Sequence, residues 1–156
     1  MIIEGRVHVF GDNISTDAIH PTSFFSTDPE QIKKGAMAGV RPDFYREVSE
    51  GDVIVAGRSF GMGSGREIAP LSLKLAGIGA VVAVSMPRIF YRNCINIGLL
   101  PVIADVTAMF RDGERIRIDT VAGLIENPDS GAKASFRSPE PELMRIIEAG
   151  GLMNTI

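Results

Sequence analysis

Three short apolar runs fix the middle of this chain: GDVIVAG at 51–57, AVVAVS at 80–85 and LLPVI at 99–103. Each is about as long as a strand, and the second is rich in β-branched residues. Apolar on both faces, such strands need cover on both faces, as in sheets of α/β proteins. The segments between them, IAPLSLKLAGIG and RIFYRNCINIG, read as helices. In the first, Ile68, Leu71, Leu75 and Ile78 fall on one helical face and are expected to pack against the sheet. The order from Asp52 to Ile103 is therefore β-loop-α-β-α-β, an α/β core.

Both flanks differ from this core. The opening IIEGRVHVF alternates like a strand. GDNISTDAIHPTSFFSTDPE then runs long and polar, and loops of that length inside compact domains are often functional. A helix should begin at Asp28–Pro29, with Asp28 or Thr27 as cap and Pro29 at the first helical position, and continue through EQIKKGAMAG. PDFYREV reads as a second, short helix. Beyond Ala104, ERIRID, AGLIEN and AKASF are short alternating segments separated by turn residues, an antiparallel meander. PELMRIIEAGGL reads as an amphipathic helix ending at Gly150–Gly151. The simplest account is one α/β domain over residues 1–156 with an antiparallel addition.

Composition narrows the function. The net charge of −3 leaves no electrostatic footprint for nucleic acid, and 6% aromatics without tryptophan disfavour base-stacking platforms. No apolar run reaches membrane-spanning length, and the start lacks the pattern of a signal peptide, so a cytoplasmic location is the default expectation. The single cysteine, Cys94, forms no internal disulfide and by itself holds neither zinc nor an iron–sulfur cluster. With no base in evidence to activate it, Cys94 reads as a core residue.

Functional interest centres on Phe60–Glu67, FGMGSGRE. Glycines Gly61, Gly63 and Gly65 permit unusual conformations and close backbone approach. One explanation of Ser64 is a capping box with Glu67. Pro70 argues against it: with Ser64 as N-cap, Pro70 would break a helix bond to Arg66. A helix starting between Glu67 and Ala69 leaves Ser64 and Arg66 in a strand-loop-helix connection, where backbone N–H groups favour an anion. The loop is neither a P-loop nor a G-x-S-x-G elbow. Arg66 suits either a structural carboxylate or a bidentate substrate carboxylate.

Other polar groups have simpler readings beside the functional one. Asp12, Asn13, Ser15, Thr16 and Asp17 suit turn chemistry. His20 on such a loop is expected to be solvated or hydrogen-bonded. His8 lies in the first strand, so no histidine pair has metal spacing and no metal ligand is assigned. Arg88, Tyr91, Arg92, Asn93 and Asn96 form either a solvated helix face or the wall of a cleft, with asparagine amides satisfying loop backbone.

GDNISTDAIHP, FSTDPE, GDVIVAGRSFGMGSGREIAPLSLKLAGIGAVVA and RIFYRNCINIGLLPV together resemble the small subunits of 3-isopropylmalate dehydratases, members of the aconitase superfamily. The resemblance covers Val7 to Val102; beyond Ala104 only length and type match. It implies the swivelling β/β/α domain of that superfamily, with a mixed sheet and an antiparallel addition at the C-terminal end. It also implies a separate large subunit whose three cysteines hold a [4Fe–4S] cluster, with an open iron that binds the substrate hydroxyl and carboxylate. The implied reaction is dehydration and rehydration of a hydroxy dicarboxylic acid, with isopropylmalate in leucine biosynthesis as the leading substrate. Ser64 matches the serine whose alkoxide removes the carbon-bound proton. Arg66 matches the arginine that binds a substrate carboxylate, and Gly63 and Gly65 bring backbone N–H groups to the ligand.

Departures from the family pattern bear on substrate. Its usual G-S-S-R-E-H has Gly65 here for the second serine and Ile68 for the histidine. Its specificity segment, commonly Tyr-Leu-Arg-Thr, is replaced by SFFST. The uncharged Phe24 and Phe25 are read as substrate-binding and favour an apolar or small γ-substituent. Dimethylmalate, methylmalate/citraconate and homoaconitate are alternative substrates. A non-catalytic binding or regulatory protein on the same fold is the alternative of another class.

Overall fold

A computed structural model describes all residues, Met1–Ile156. Twelve elements carry the fold: β1 Ile2–Val9, α1 Thr16–Ile19, α2 Pro29–Lys34, β2 Val53–Ala56, α3 Ile68–Ala76, β3 Ala80–Ala83, α4 Arg88–Asn96, β4 Leu100–Ile103, β5 Arg115–Asp119, β6 Leu124–Glu126, β7 Lys133–Ser135 and α5 Pro141–Glu148. One mixed sheet runs β4-β3-β2-β1-β5-β6-β7. β1 is the pivot, parallel to β2 through Val7↔Val53 and antiparallel to β5 through Ile3↔Ile118. The chain thus switches at β1 from crossover α/β connections to a hairpin meander. No helix is long and apolar enough to cross a membrane.

The apolar runs of β2 and β3 are buried at every position. Ile54, Ala56, Val81 and Ala83 face one core, shared with Phe44, Phe60, Leu73, Phe90 and Cys94. Val53, Val55, Ala80 and Val82 face a second, shared with Ile116, Ile118, Ile125, Met144 and Ile147. α3 covers the first face, the meander and α5 cover the second, and α4 contributes to both, Phe90 and Cys94 to the first and Ile95 to the second.

Three helical readings change. α3 turns Ala69, Ser72 and Leu73 inward, whereas Ile68, Leu71 and Leu75 stay half-buried; Ile78 is buried but lies beyond the helix. Small residues allow close approach, and the Ser72 hydroxyl is satisfied by donating to the Ala69 carbonyl at 2.7 Å. α2 is capped by Asp28, as expected, but stops at Lys34. Gly35 follows because any Cβ there would lie 2.6 Å from His20 and Phe24. PDFYREV forms only a 3₁₀ turn, Phe44–Arg46.

Candidate active site

β2 points the chain toward the glycine loop, and α3 resumes regular structure at Ile68. Pro70 therefore sits in the first turn of α3, where its missing N–H has no helical partner to lose. Ser64 caps nothing: Glu67 occupies the N-cap position and makes no side-chain cap bond. Gly63 adopts φ +102°, which a side chain would resist. Gly65 is held by close approach instead, since a Cβ there would lie 2.5 Å from Cγ2 of Ile89 on α4.

The polar loop after β1 secures the glycine loop. Gly61 N–H donates to Ile14 O at 2.8 Å, and Thr16 N–H donates to Met62 O at 2.8 Å. The Thr16 hydroxyl donates to Ser64 O at 2.9 Å and lies 3.3 Å from Ser64 Oγ. From the other side, Asn93 Nδ2 donates to Gly65 O at 3.2 Å. Ser64 is exposed, and the N–H groups of Gly63, Ser64 and Gly65 make no hydrogen bond within the chain. The loop thus offers a hydroxyl and free backbone donors to solvent, on a frame fixed at both ends.

Arg66 is half-buried beside this frame. Its Nη2 pairs with Asp17 Oδ1 and reaches His20 O at 3.4 Å, while its Nε is buried without a partner. Asp17 lies in the first turn of α1, which Ser15 caps by accepting from Ala18 N–H. The structural reading of Arg66 is the one seen: a carboxylate of the chain orients it, and three-quarters of that carboxylate's side chain is exposed. An exposed ion pair is worth about 1 kcal/mol or less, so Asp17 can yield the guanidinium to a ligand carboxylate.

Of the two roles expected for His20, solvated or hydrogen-bonded, the structure shows the second. His20 is fully buried, and Nε2 donates to Ile32 O at 3.1 Å. Its other nitrogen is buried without a partner. Burial, and secondarily the charge of Arg66, lower its pKa, with the Ile32 bond opposing. Phe24 packs against the His20 ring at 6.3 Å between centroids. It therefore anchors the SFFST segment, while Phe25 is 65% exposed. Of the two phenylalanines read as substrate-binding, only Phe25 stands clear of the fold.

A metal or iron–sulfur cluster does not fit this chain's donors. No three His, Cys, Asp or Glu side chains converge, and Cys94 is fully buried in the first core, which pushes its thiol pKa up. Of the two readings open for the α4 asparagines, Asn93 takes the one that satisfies loop backbone. The sequence marks Thr16 and Asp17 only as turn formers. Their signal was Ser15 followed by an acidic residue, a helix start, but α1 is too short to show periodicity.

The stretch that holds β2, the glycine loop, α3, β3, α4 and β4 lies within residues 41–106, which match the aconitase C-terminal domain, and the chain is thereby a domain of the aconitase superfamily. The chain is 48% identical to 3-isopropylmalate dehydratase small subunit 1 of Methanopyrus kandleri, over 99% of this chain and 92% of that protein. It is 45% identical to the methanogen homoaconitase small subunit of Methanocaldococcus jannaschii, over 99% and 91%. The crystal structure of a 3-isopropylmalate dehydratase from the same organism matches with a TM-score of 0.93 at 44% identity, covering 99% of this chain and 92% of that one. The chain belongs to the family of 3-isopropylmalate dehydratase small subunits.

Proposed function

We propose that this chain, acting as one swivel domain over residues 1–156, is the small subunit of a cytoplasmic two-subunit hydro-lyase that isomerises 2- and 3-isopropylmalate. The observation that carries the reading is the placement of Ser64 and Arg66 on one exposed loop, held by Thr16 and Asn93. A substrate carboxylate binds Arg66. Ser64 as alkoxide takes the proton from the carbon next to the one bearing the hydroxyl, and returns it on rehydration. The free N–H groups of Gly63 and Gly65 and the nearby guanidinium favour that alkoxide. The Thr16 hydroxyl, 3.3 Å from Ser64 Oγ, can turn from the Ser64 carbonyl to stabilise it. The [4Fe–4S] cluster of superfamily enzymes belongs, in this reading, to the large subunit, because the donors here do not suit it.

The SFFST segment supports this choice of substrate. It presents an apolar ring and no cation, which favours the isopropyl group over a distal carboxylate. Homoaconitate is the second reading, supported by the similarity to the homoaconitase subunit.

The test is co-expression with the large subunit, anaerobic cluster reconstitution and a panel of isopropylmalate, citramalate and homoaconitate. The purified single chain is expected to be colourless and inactive. In the complex, Ser64→Ala should leave association intact and lower kcat at least a hundredfold, the scale for losing a base or its stabilised charge. A kcat within a few-fold of wild type removes Ser64 from the chemistry.

A further inference from the structure

α4 carries a second group of polar side chains that the reaction does not use. Arg88, Tyr91, Arg92, Ile95 and Asn96 line one side of a cleft of about 640 Å³, and Leu143 of α5 closes the other. The lining contains no carboxylate. Neither guanidinium makes an ion pair or a hydrogen bond, and the Tyr91 hydroxyl and Asn96 amide are also without partners in the chain. Arg88 and Arg92 stand one helical turn apart, so their like charges repel without a counter-charge. The cleft is thus a row of unused donors on a chain whose net charge is −3.

Its neighbours say what covers it. The adjoining ridge of α4 bears Ile89 and Asn93, the residues that contact Gly65 of the active-site loop. Ile89 is 59% exposed, and Met62 at the other side of the loop is 39% exposed. An exposed apolar side chain, Ile89, between the unpaired Arg88 and Arg92 on one helix suits an interface, where apolar contacts are rimmed by polar ones. Arginine and tyrosine are also the residues that most often dominate such contacts.

We propose that the Arg88–Tyr91–Arg92 cleft docks an acidic segment of the large subunit beside the Ser64 loop. This rests on the two-subunit reading above. Carboxylates of the partner take the two guanidinium forks and the Tyr91 hydroxyl, while Ile89 and Met62 are covered by its apolar surface. The contact adds affinity beside the Gly65 side of the loop, and the rest of the interface suffices to present Ser64 once the complex has formed.

Association of the two purified subunits is the test, measured by calorimetry and by activity titrated with increasing large subunit. The Arg88→Glu, Arg92→Glu double variant is expected to weaken association at least tenfold and to slow its on-rate. The wild-type on-rate should fall with salt, and the variant's should fall less. Activity at saturating partner should return to within about threefold of wild type. Arg137→Glu serves as a surface control and should bind normally. Unchanged thermal melting of the free double variant shows that it is folded; should it melt early, the Arg88→Gln, Arg92→Gln pair replaces it and should still weaken association. Wild-type association with unchanged affinity in the folded variants overturns the proposal, and so does low kcat at saturating partner, which would place the arginines in the chemistry. Citrate or phosphate binding to the cleft in the assembled enzyme would also overturn it, as a small-anion site left open. Failure of wild type itself to bind the large subunit would instead refute the two-subunit reading.

Discussion

At the residue scale, His20 shows how a polar side chain can serve the site without facing it. Its Nε2–H is committed to Ile32 O, so the neutral ring leaves Nδ1 bare and buried. Protonation would place an N–H there with no acceptor, close to Arg66. Burial first, and then Arg66, hold the folded pKa below the unfolded value of about 6.5. As pH falls through that value the unfolded chain takes up a proton that the folded chain refuses. Stability therefore falls with pH and levels off only below the folded pKa. His20→Gln keeps a donor for Ile32 O and removes the titration. Urea unfolding at pH 7.5 and 5.5 should show a larger loss in wild type than in the variant, and equal losses would mean that His20 does not titrate in this window. The sequence offered His20 only as a loop histidine, because its burial comes from Phe24 and Gly35, which approach through chain geometry. Ser64 and Arg66 were readable, since glycine spacing and Pro70 are local facts. Their braces, Thr16 and Asp17, were not, because they lie 48 and 49 residues away in sequence.

At the scale of elements, legibility followed how much of an element's environment its own period encodes. β2, β3 and β4 were plain because burial on both faces leaves an unbroken apolar run. α3 was located correctly but its inward face was not. The rule that large apolar residues face the core fails where a helix packs closely through Ala69 and Ser72. α4 spans Arg88–Asn96, within the segment its sequence marks as helical, and it approaches Gly65 closely. Gly65→Ser restores the family's usual serine but drives its Cβ to 2.5 Å from Ile89 Cγ2. That methyl sits on a β-branched carbon with one strongly preferred helical rotamer, so it gives way poorly. Overpacking of this kind costs about 1–3 kcal/mol, and the exposure of Ile89 points to the lower end. A double-mutant cycle with Ile89→Ala should recover most of that loss, because alanine lacks the clashing methyl. Simple additivity of the two changes would show that the contact carries no strain.

At the scale of the whole molecule, the question is why the C-terminal third is needed, when every residue named in the reaction lies before Ala104. The central strands answer it. Val53, Val55, Ala80 and Val82 turn away from α3 into a second core whose other wall is Ile116, Ile118 and Ile125 of the meander and Met144 and Ile147 of α5. Burying a large aliphatic side chain contributes about 1.5–3 kcal/mol. Those five residues together supply roughly 7–15 kcal/mol, as much as the roughly 5–15 kcal/mol net stability of an ordinary domain. β1 would also lose β5, its antiparallel neighbour, and leave a bare edge beside the parallel strands. A fragment ending at Ala104 therefore keeps the loop sequence but cannot keep the loop geometry. The expected result is a disordered or aggregating fragment, with collapsed amide dispersion in its NMR spectrum and no binding to the large subunit. Adding residues 105–156 as a separate chain should restore dispersion only if β5 pairs again with β1. A dispersed spectrum from the fragment alone would show that the first core suffices, and that the meander and α5 serve a purpose other than covering the sheet.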